Sequence, residues 1–184
     1  MMKTLVVVDA QNDFIDGSLA CENSENAIAN IVKKINAGDF DKVVYSMDAH
    51  SPTNKSFKVN GGIWPVHCVE GEKGAELSSK FDAIENPEFK TTELTVYKKG
   101  KDDEVEEYSA YYAKNEAGES ISDLKSDEFI VCGLASEYCV RETILEFKNK
   151  GKNVKMFLDG VGYVDREDHL KNIEELKNMG IEMI

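Results

Sequence analysis

The chain has 184 residues, of which 41% are hydrophobic and 31% charged, which supplies one domain-sized core and excludes a disordered chain. Its formal charge of −13 sets it against nucleic acid and anionic membrane surfaces as partners. No run approaches the ~20 apolar residues of a membrane span. The apolar stretch after Lys3 is too short for a signal-peptide core, so the expected setting is the cytoplasm.

Residues 4–8 read as a strand buried on both faces, and Asp9 follows directly. In an open parallel sheet, ligands collect at the carboxyl ends of the strands, which makes Asp9 a candidate site residue. A lone Asp at that place is equally a turn or a helix cap. No glycine-rich phosphate loop follows, which argues against a dinucleotide fold. Ser24 is the expected N-cap of a helix whose apolar stripe is Ala27, Ile28, Ile31, Val32 and Ile35. Residues 41–47 form the second predicted strand, which ends in Asp48-Ala49-His50. In extended chain, residues i and i+2 point the same way, so Asp48 and His50 can address one divalent metal. Asp-x-His alone is a weak signal.

Residues 51–76 read as a long loop, and irregular stretches of that length in a compact domain are commonly functional. The loop holds His67 and the only tryptophan, Trp64, whose placement no apolar stripe explains. His169 falls in a predicted helix at 168–179 and reads as solvated. A third strand at 94–97 runs into Lys98-Lys99-Gly100, and spacing does not choose between the two lysines. The acidic stretch 102–107 reads as a solvated loop and helix start. Tyr108 is either core or pocket wall.

Residues 129–132 are again an unbroken apolar run, followed by a small-residue turn at 133–135 and a helical stripe of Val140, Ile144 and Phe147 up to Gly151. Cys139 therefore lies where a strand hands over to a helix N-terminus. Free N–H groups and the helix dipole there are expected to lower a thiol pKa and to hold an oxyanion. For a cysteine seen alone, a small buried residue at a helix start is the plainer account. A strand at 154–158, a helix capped by Asp165 with Leu170, Ile173 and Leu176 facing the sheet, and a strand at 181–184 complete the chain. The alternation predicts a single doubly wound α/β domain over residues 1–184. Its sheet is mainly parallel and six-stranded, with helices on both faces. Cysteines 21, 68, 132 and 139 show neither CxxC nor zinc-finger spacing, so reduced thiols are expected.

Several of these stretches occur together in a recognisable order. They are Val8-Asp9-Ala10-Gln11-Asn12-Asp13-Phe14, Asp48-Ala49-His50, Trp64-Pro65-Val66-His67-Cys68, Lys99-Gly100, Tyr108-Ser109-Ala110 and Gly133-Leu134-Ala135-Ser136-Glu137-Tyr138-Cys139-Val140. Through nearly its whole length the chain resembles the isochorismatase-like cysteine hydrolases, and within them the nicotinamidases (pyrazinamidases). The resemblance implies a catalytic triad of Asp9, Lys99 and Cys139, Lys99 being chosen because the family lysine directly precedes glycine. Asp9 would take the thiol proton and return it to the leaving ammonia, Lys99 would orient Asp9 and favour ionised forms, and Cys139 would form a thioester. It also implies a cis peptide at Leu134–Ala135 and an oxyanion hole from the backbone N–H groups of Ala135 and Cys139.

The same resemblance implies Asp48, His50 and His67 as ligands of one divalent metal, zinc first and iron(II) or manganese(II) as alternatives, which would position the pyridine nitrogen of nicotinamide. Many nicotinamidases carry a further histidine where this chain has Asn54, which leaves a fourth protein ligand open. Ser136-Glu137 stands where Thr-Asp is usual and conserves the chemistry. Phe14, Trp64 and Tyr108 are the implied pocket walls, and Cys68 is left outside the site. The implied partner is a small amide such as nicotinamide or pyrazinamide, within NAD salvage, and family habit implies a homo-oligomer. The competing readings are another small-amide or isochorismatase-type hydrolase, a catalytically silent binding member, and a redox protein. The first is disfavoured by the Asp/His set, the second by the complete triad, the third by the lack of a nearby resolving cysteine.

Overall fold

The computed structural model describes residues 1–184. Leu5, Val6, Val7 and Val8 are all 0% exposed, and successive side chains of a strand face opposite ways, so both faces of this strand are covered. The strands are β1 (Lys3–Val8), β2 (Lys42–Asp48), β3 (Val96–Lys99), β4 (Glu128–Gly133), β5 (Val154–Val161) and β6 (Glu182–Met183). They form one six-stranded sheet in the order β3-β2-β1-β4-β5-β6, and every neighbouring pair is parallel. The doubly wound fold expected from the strand–helix alternation is therefore present. The chain steps outward from β1 to β3, then restarts at β4 on the other side of β1. The β1/β4 boundary is thus the switch point at which such sheets open a crevice beyond their carboxyl ends.

Helices α1 (Asn12–Ile15) and α2 (Ser24–Asn36) join β1 to β2, α3 (Arg141–Asn149) joins β4 to β5, and α4 (Arg166–Asn178) joins β5 to β6. Ile144 and Phe147 of α3 are fully buried, with the Phe147 ring 4.4 Å from that of Phe129. Burying each such side chain contributes about 1.5–3 kcal/mol. Between β2 and β3 there are only short 3₁₀ turns, so the long loop predicted at 51–76 is irregular as expected.

The differences from expectation are local. The N-cap of α2 is Asn23, in the left-handed region at φ 62°, while Ser24 is the first helical residue and donates its hydroxyl to the Ile15 carbonyl. The third strand begins at Val96, because Leu94 is exposed in the turn that precedes it. Residues 102–107 start no helix. On α4, Asp165 caps as predicted, accepting from the N–H groups of Glu167 and Asp168, but Leu170 is 57% exposed, and Asn172 is buried alongside Ile173 and Leu176. His169 is half-buried, its Nδ1 2.7 Å from the Ser136 hydroxyl and its ring stacked on Tyr163.

At the switch point, Gly133 has φ +115°, and a Cβ there would lie 2.0 Å from the Val8 carbonyl oxygen. Gly133→Ala is expected to cost roughly 3 kcal/mol or more, combining backbone strain with overpacking. A urea unfolding midpoint within error of the wild type would contradict this.

Candidate active site and metal centre

Asp9 leaves the end of β1 at φ 46° and is completely buried. Its Oδ1 accepts a hydrogen bond from the Ser46 hydroxyl at 2.7 Å, and its Oδ2 pairs with the Lys99 ammonium at 2.9 Å. Lys99 ends β3 opposite Asp48 in register, and its side chain is 0% exposed. Its Nζ also donates to Asp48 Oδ1 at 2.6 Å and to the Glu107 main-chain oxygen at 3.1 Å, and lies 3.6 Å from Cys139 Sγ. Lys98 points the other way and pairs with Glu70 and Glu116. This settles which of the two adjacent lysines is internal.

Cys139 sits in a π-helical turn, Ser136–Val140, that precedes α3, with the Val140 N–H donating to the Ala135 carbonyl at 3.2 Å. The Leu134–Ala135 peptide before it is cis. The Ala135 N–H makes no hydrogen bond within the protein, and Ala135 and Cys139 both line the pocket described below. A donor free in this way is available to an oxyanion.

The electrostatics correct one expectation. Burial pushes the Cys139 thiol well above its ordinary range. The Lys99 ammonium opposes this, and the Asp9 and Asp48 carboxylates reinforce it. Burial of the thiol, the largest of these influences, is not visible in a strand-to-helix pattern. Burial likewise raises the Asp9 carboxyl, against the pull of Lys99, so Asp9 is a stronger base than a solvated aspartate. Burial would lower Lys99, but Asp48, Asp9 and Cys139 raise it well above its usual value and keep it an ammonium. The resting group is thus a neutral thiol beside a carboxylate able to take its proton.

Asp48, His50 and His67 are all buried, and one ligand atom from each lies within 4.8 Å of the others. The His50 Nδ1 is 2.8 Å from the Gly100 carbonyl, and the His67 Nδ1 is 2.8 Å from the Pro65 carbonyl. A carbonyl at that distance accepts from Nδ1–H, so in each neutral imidazole Nε2 is the bare nitrogen that a metal needs, while without a metal the Asp48 carboxylate beside Nε2 raises the His50 pKa against burial. Asp48 spends Oδ1 on Lys99 and keeps Oδ2 3.5 Å from His50 Nε2. Burial alone would raise the Asp48 carboxyl, but Lys99 and His50 outweigh it and hold Asp48 well below the carboxylate range. Burial lowers His67, with the Pro65 carbonyl partly opposing. A permanent carboxylate and two oriented imidazoles fit one divalent ion of the zinc or iron kind. The Asn54 amide touches the Nδ1 side of His50 at 3.2 Å and accepts from the Ser56 N–H, so it stands behind this ligand and not among the three.

A pocket of about 420 Å³ opens over both groups, lined by Phe14, Trp64 and Tyr108 together with Leu19, Glu106, Glu107, Tyr138 and Val164. The Trp64 indole N–H donates to the Tyr108 hydroxyl at 3.1 Å, and Tyr138 stands edge-on to Trp64 at 5.0 Å. The last five of these residues were not read from the sequence. Tyr138, the neighbour of Cys139, had a signal in its position, whereas Leu19, Glu106, Glu107 and Val164 come from segments with no periodicity. Ser46 was missed too, although it is two residues before Asp48 on one strand. Cys68 stays outside the site. It is buried at φ 48°, its N–H held by Asp13 and its carbonyl by the His50 N–H.

A family model for the isochorismatase domain matches residues 3–184. The nicotinamidase of Escherichia coli (strain K12) is 29% identical over 181 residues, spanning 86% of this chain and 82% of that protein. The crystal structure of PnC1 from L. infantum in complex with nicotinate has a TM-score of 0.85 at 27% identity, covering 100% of this chain and 92% of that one. The pyrazinamidase of Pyrococcus horikoshii in complex with zinc has a TM-score of 0.79 at 27% identity, covering 100% and 99%.

Proposed function

The chain belongs to the isochorismatase family, and from that membership we propose that it is a metal-dependent nicotinamidase, hydrolysing nicotinamide to nicotinate and ammonia in NAD salvage. The observation that carries this reading is the meeting, under one aromatic-walled pocket, of the buried Asp9–Lys99–Cys139 group with the Asp48–His50–His67 trio. The first supplies amide chemistry, and the second supplies a place for a pyridine nitrogen.

In this mechanism Asp9 takes the Cys139 thiol proton as Sγ attacks the amide carbon, and Lys99 holds both groups in place. The developing oxyanion is met by the Ala135 and Cys139 N–H groups, and losing one such donor typically costs about 10²–10³ in rate. Asp9 returns its proton to the amide nitrogen, the C–N bond breaks and ammonia leaves a thioester on Cys139. Water, deprotonated by Asp9, attacks the thioester, the C–S bond breaks, and the thiol regains its proton. Asp48, His50 and His67 would hold the metal, which when bound supplies a Lewis-acid contact that orients the ring. Phe14, Trp64, Tyr108 and Tyr138 offer flat apolar faces to the same ring.

Ammonia release from nicotinamide is the direct test. Stripping the protein with a chelator is expected to abolish at least about nine-tenths of turnover, and zinc, iron(II) or manganese(II) to restore it. Undiminished turnover by protein shown to be metal-free would reduce the trio to a structural role. Absence of turnover with metal bound, alongside hydrolysis of other small amides, would favour a relative with different specificity.

A further inference from the structure

The segment 100–107 leaves β3 and folds back on it, tied down at two places. At its tip, the Asp103 carboxylate accepts from the Ser51 and Thr53 hydroxyls, both at 2.7 Å, and its main-chain oxygen accepts from the Lys55 N–H at 3.0 Å. At its base, Glu107 acts twice. Its main-chain oxygen accepts from Lys99 Nζ at 3.1 Å, and its side-chain Oε2 accepts from the Gly100 N–H at 2.7 Å. The Lys99–Gly100 peptide is thereby held at both ends, because the Lys99 carbonyl accepts from the Ala49 N–H at 2.9 Å. The next carbonyl, that of Gly100, is the one facing His50 Nδ1 at 2.8 Å.

Gly100 has φ +70°, and a Cβ there would lie 2.6 Å from His50 Cε1 and 3.2 Å from Asp48 Oδ1. Only glycine permits that approach, yet glycine's own backbone is the softest in the chain. Its carbonyl therefore needs an outside anchor to stay on His50, and the Glu107 carboxylate is the anchor on its N–H. We propose that Glu107 is a positioning residue that couples the two halves of the site: through its main-chain oxygen it seats the Lys99 ammonium, and through its carboxylate it fixes the Gly100 turn that sets the His50 tautomer. Glu107 donates nothing to the reaction and is not a ligand. The inference rests on the reading of Asp48, His50 and His67 as a metal site.

The test compares three substitutions by zinc affinity, measured by dialysis of stripped protein without substrate, and by kcat and KM at saturating zinc. Glu107→Gln keeps the reach and the accepting oxygen while losing the charge. Glu107→Asp keeps the charge but is one methylene too short. Glu107→Ala keeps neither. Outer-shell partners of metal-bound histidines are typically worth 10–100-fold. Accordingly Ala and Asp are expected to raise the zinc Kd and lower kcat at least about tenfold each with KM little changed, and Gln to stay within about threefold of wild type. Thermal melting of all three shows whether each is folded. An unchanged zinc Kd in a folded Ala variant, or rescue by Asp and not by Gln, overturns the proposal. A wild-type protein that binds zinc but leaves nicotinamide intact defeats the proposed substrate, and the zinc measurement still decides the role of Glu107.

Discussion

Cys139→Ala is expected to lower nicotinamide turnover by on the order of 10⁴-fold or more while leaving the fold and the metal site in place. The thiol faces the pocket, 3.6 Å from the Lys99 ammonium and beside the Asp9 carboxylate that would take its proton, whereas the Ser46 hydroxyl on the other Asp9 oxygen does not line the pocket. Without it the oxyanion donor at Ala135 and the aromatic walls still bind substrate, so substrate affinity should survive the loss of kcat. Stability should change by about 1 kcal/mol or less, since only a sulfur atom is removed and its buried neighbours keep their own partners. Zinc stoichiometry should not change, because Cys139 is not one of the three residues that converge on the ion site. Ammonia release, zinc content and the urea midpoint, measured on one preparation, check all three expectations. Residual turnover within tenfold of wild type would remove the thioester mechanism, since no other side chain at the site could substitute.

The strands and the residues at their ends were legible because burial on both faces leaves a mark in sequence. The apolar runs that give way to Asp9, Asp48 and the Lys98-Lys99 pair locate the carboxyl ends of three strands, and parallel pairing then brings those ends to one side of the sheet. Strand periodicity allowed Asp48 and His50 to face one point, but as a weak signal that only the family resemblance turned into a ligand pair. Periodicity could not choose between Lys98 and Lys99, because adjacent strand residues point opposite ways; the family pattern of lysine before glycine chose Lys99, which the register places opposite Asp48. His67, Trp64 and Tyr108 were reached through family resemblance, since loops carry no periodicity to read. Glu106 and Glu107 show the cost of that: most of the run 102–107 is exposed as expected of an acidic loop, yet its last two residues line the pocket and Glu107 closes onto Gly100. The thiol expectation failed for a different reason. A helix start indicates a favourable dipole, but the burial of Cys139 comes from Lys99, Asp9 and Asp48 at the ends of three other strands, which no local pattern states. His169 is similar, drawn inward by a hydroxyl contributed 33 residues earlier in the chain.

Lys99→Met should be the most destabilising change at the site, at about 3–5 kcal/mol, the usual cost of leaving a buried charge without its partner. Methionine fills much of the same space, so the loss is electrostatic. The ammonium is shared by Asp9 Oδ2 at 2.9 Å and Asp48 Oδ1 at 2.6 Å, both on buried side chains, and its removal leaves two carboxylates facing each other. The protein's remaining recourse is to keep a proton. Burial already raises Asp9, with Lys99 as the principal opposing influence, so the variant's Asp9 should hold its proton to a still higher pH. An unfolded aspartate titrates at about 3.9. Between that value and the raised native one, the folded state therefore binds more protons than the unfolded state, and stability falls as pH rises through the native pKa. The variant, stripped of metal, should accordingly gain stability on going from pH 7.5 to pH 5 by more than the wild type does. Urea unfolding at the two pH values reads the effect directly. Equal stabilities, with parallel pH responses, would mean that Lys99 is not the counter-charge of this centre, and with it would go the account of how Asp9 is held ready beside the thiol.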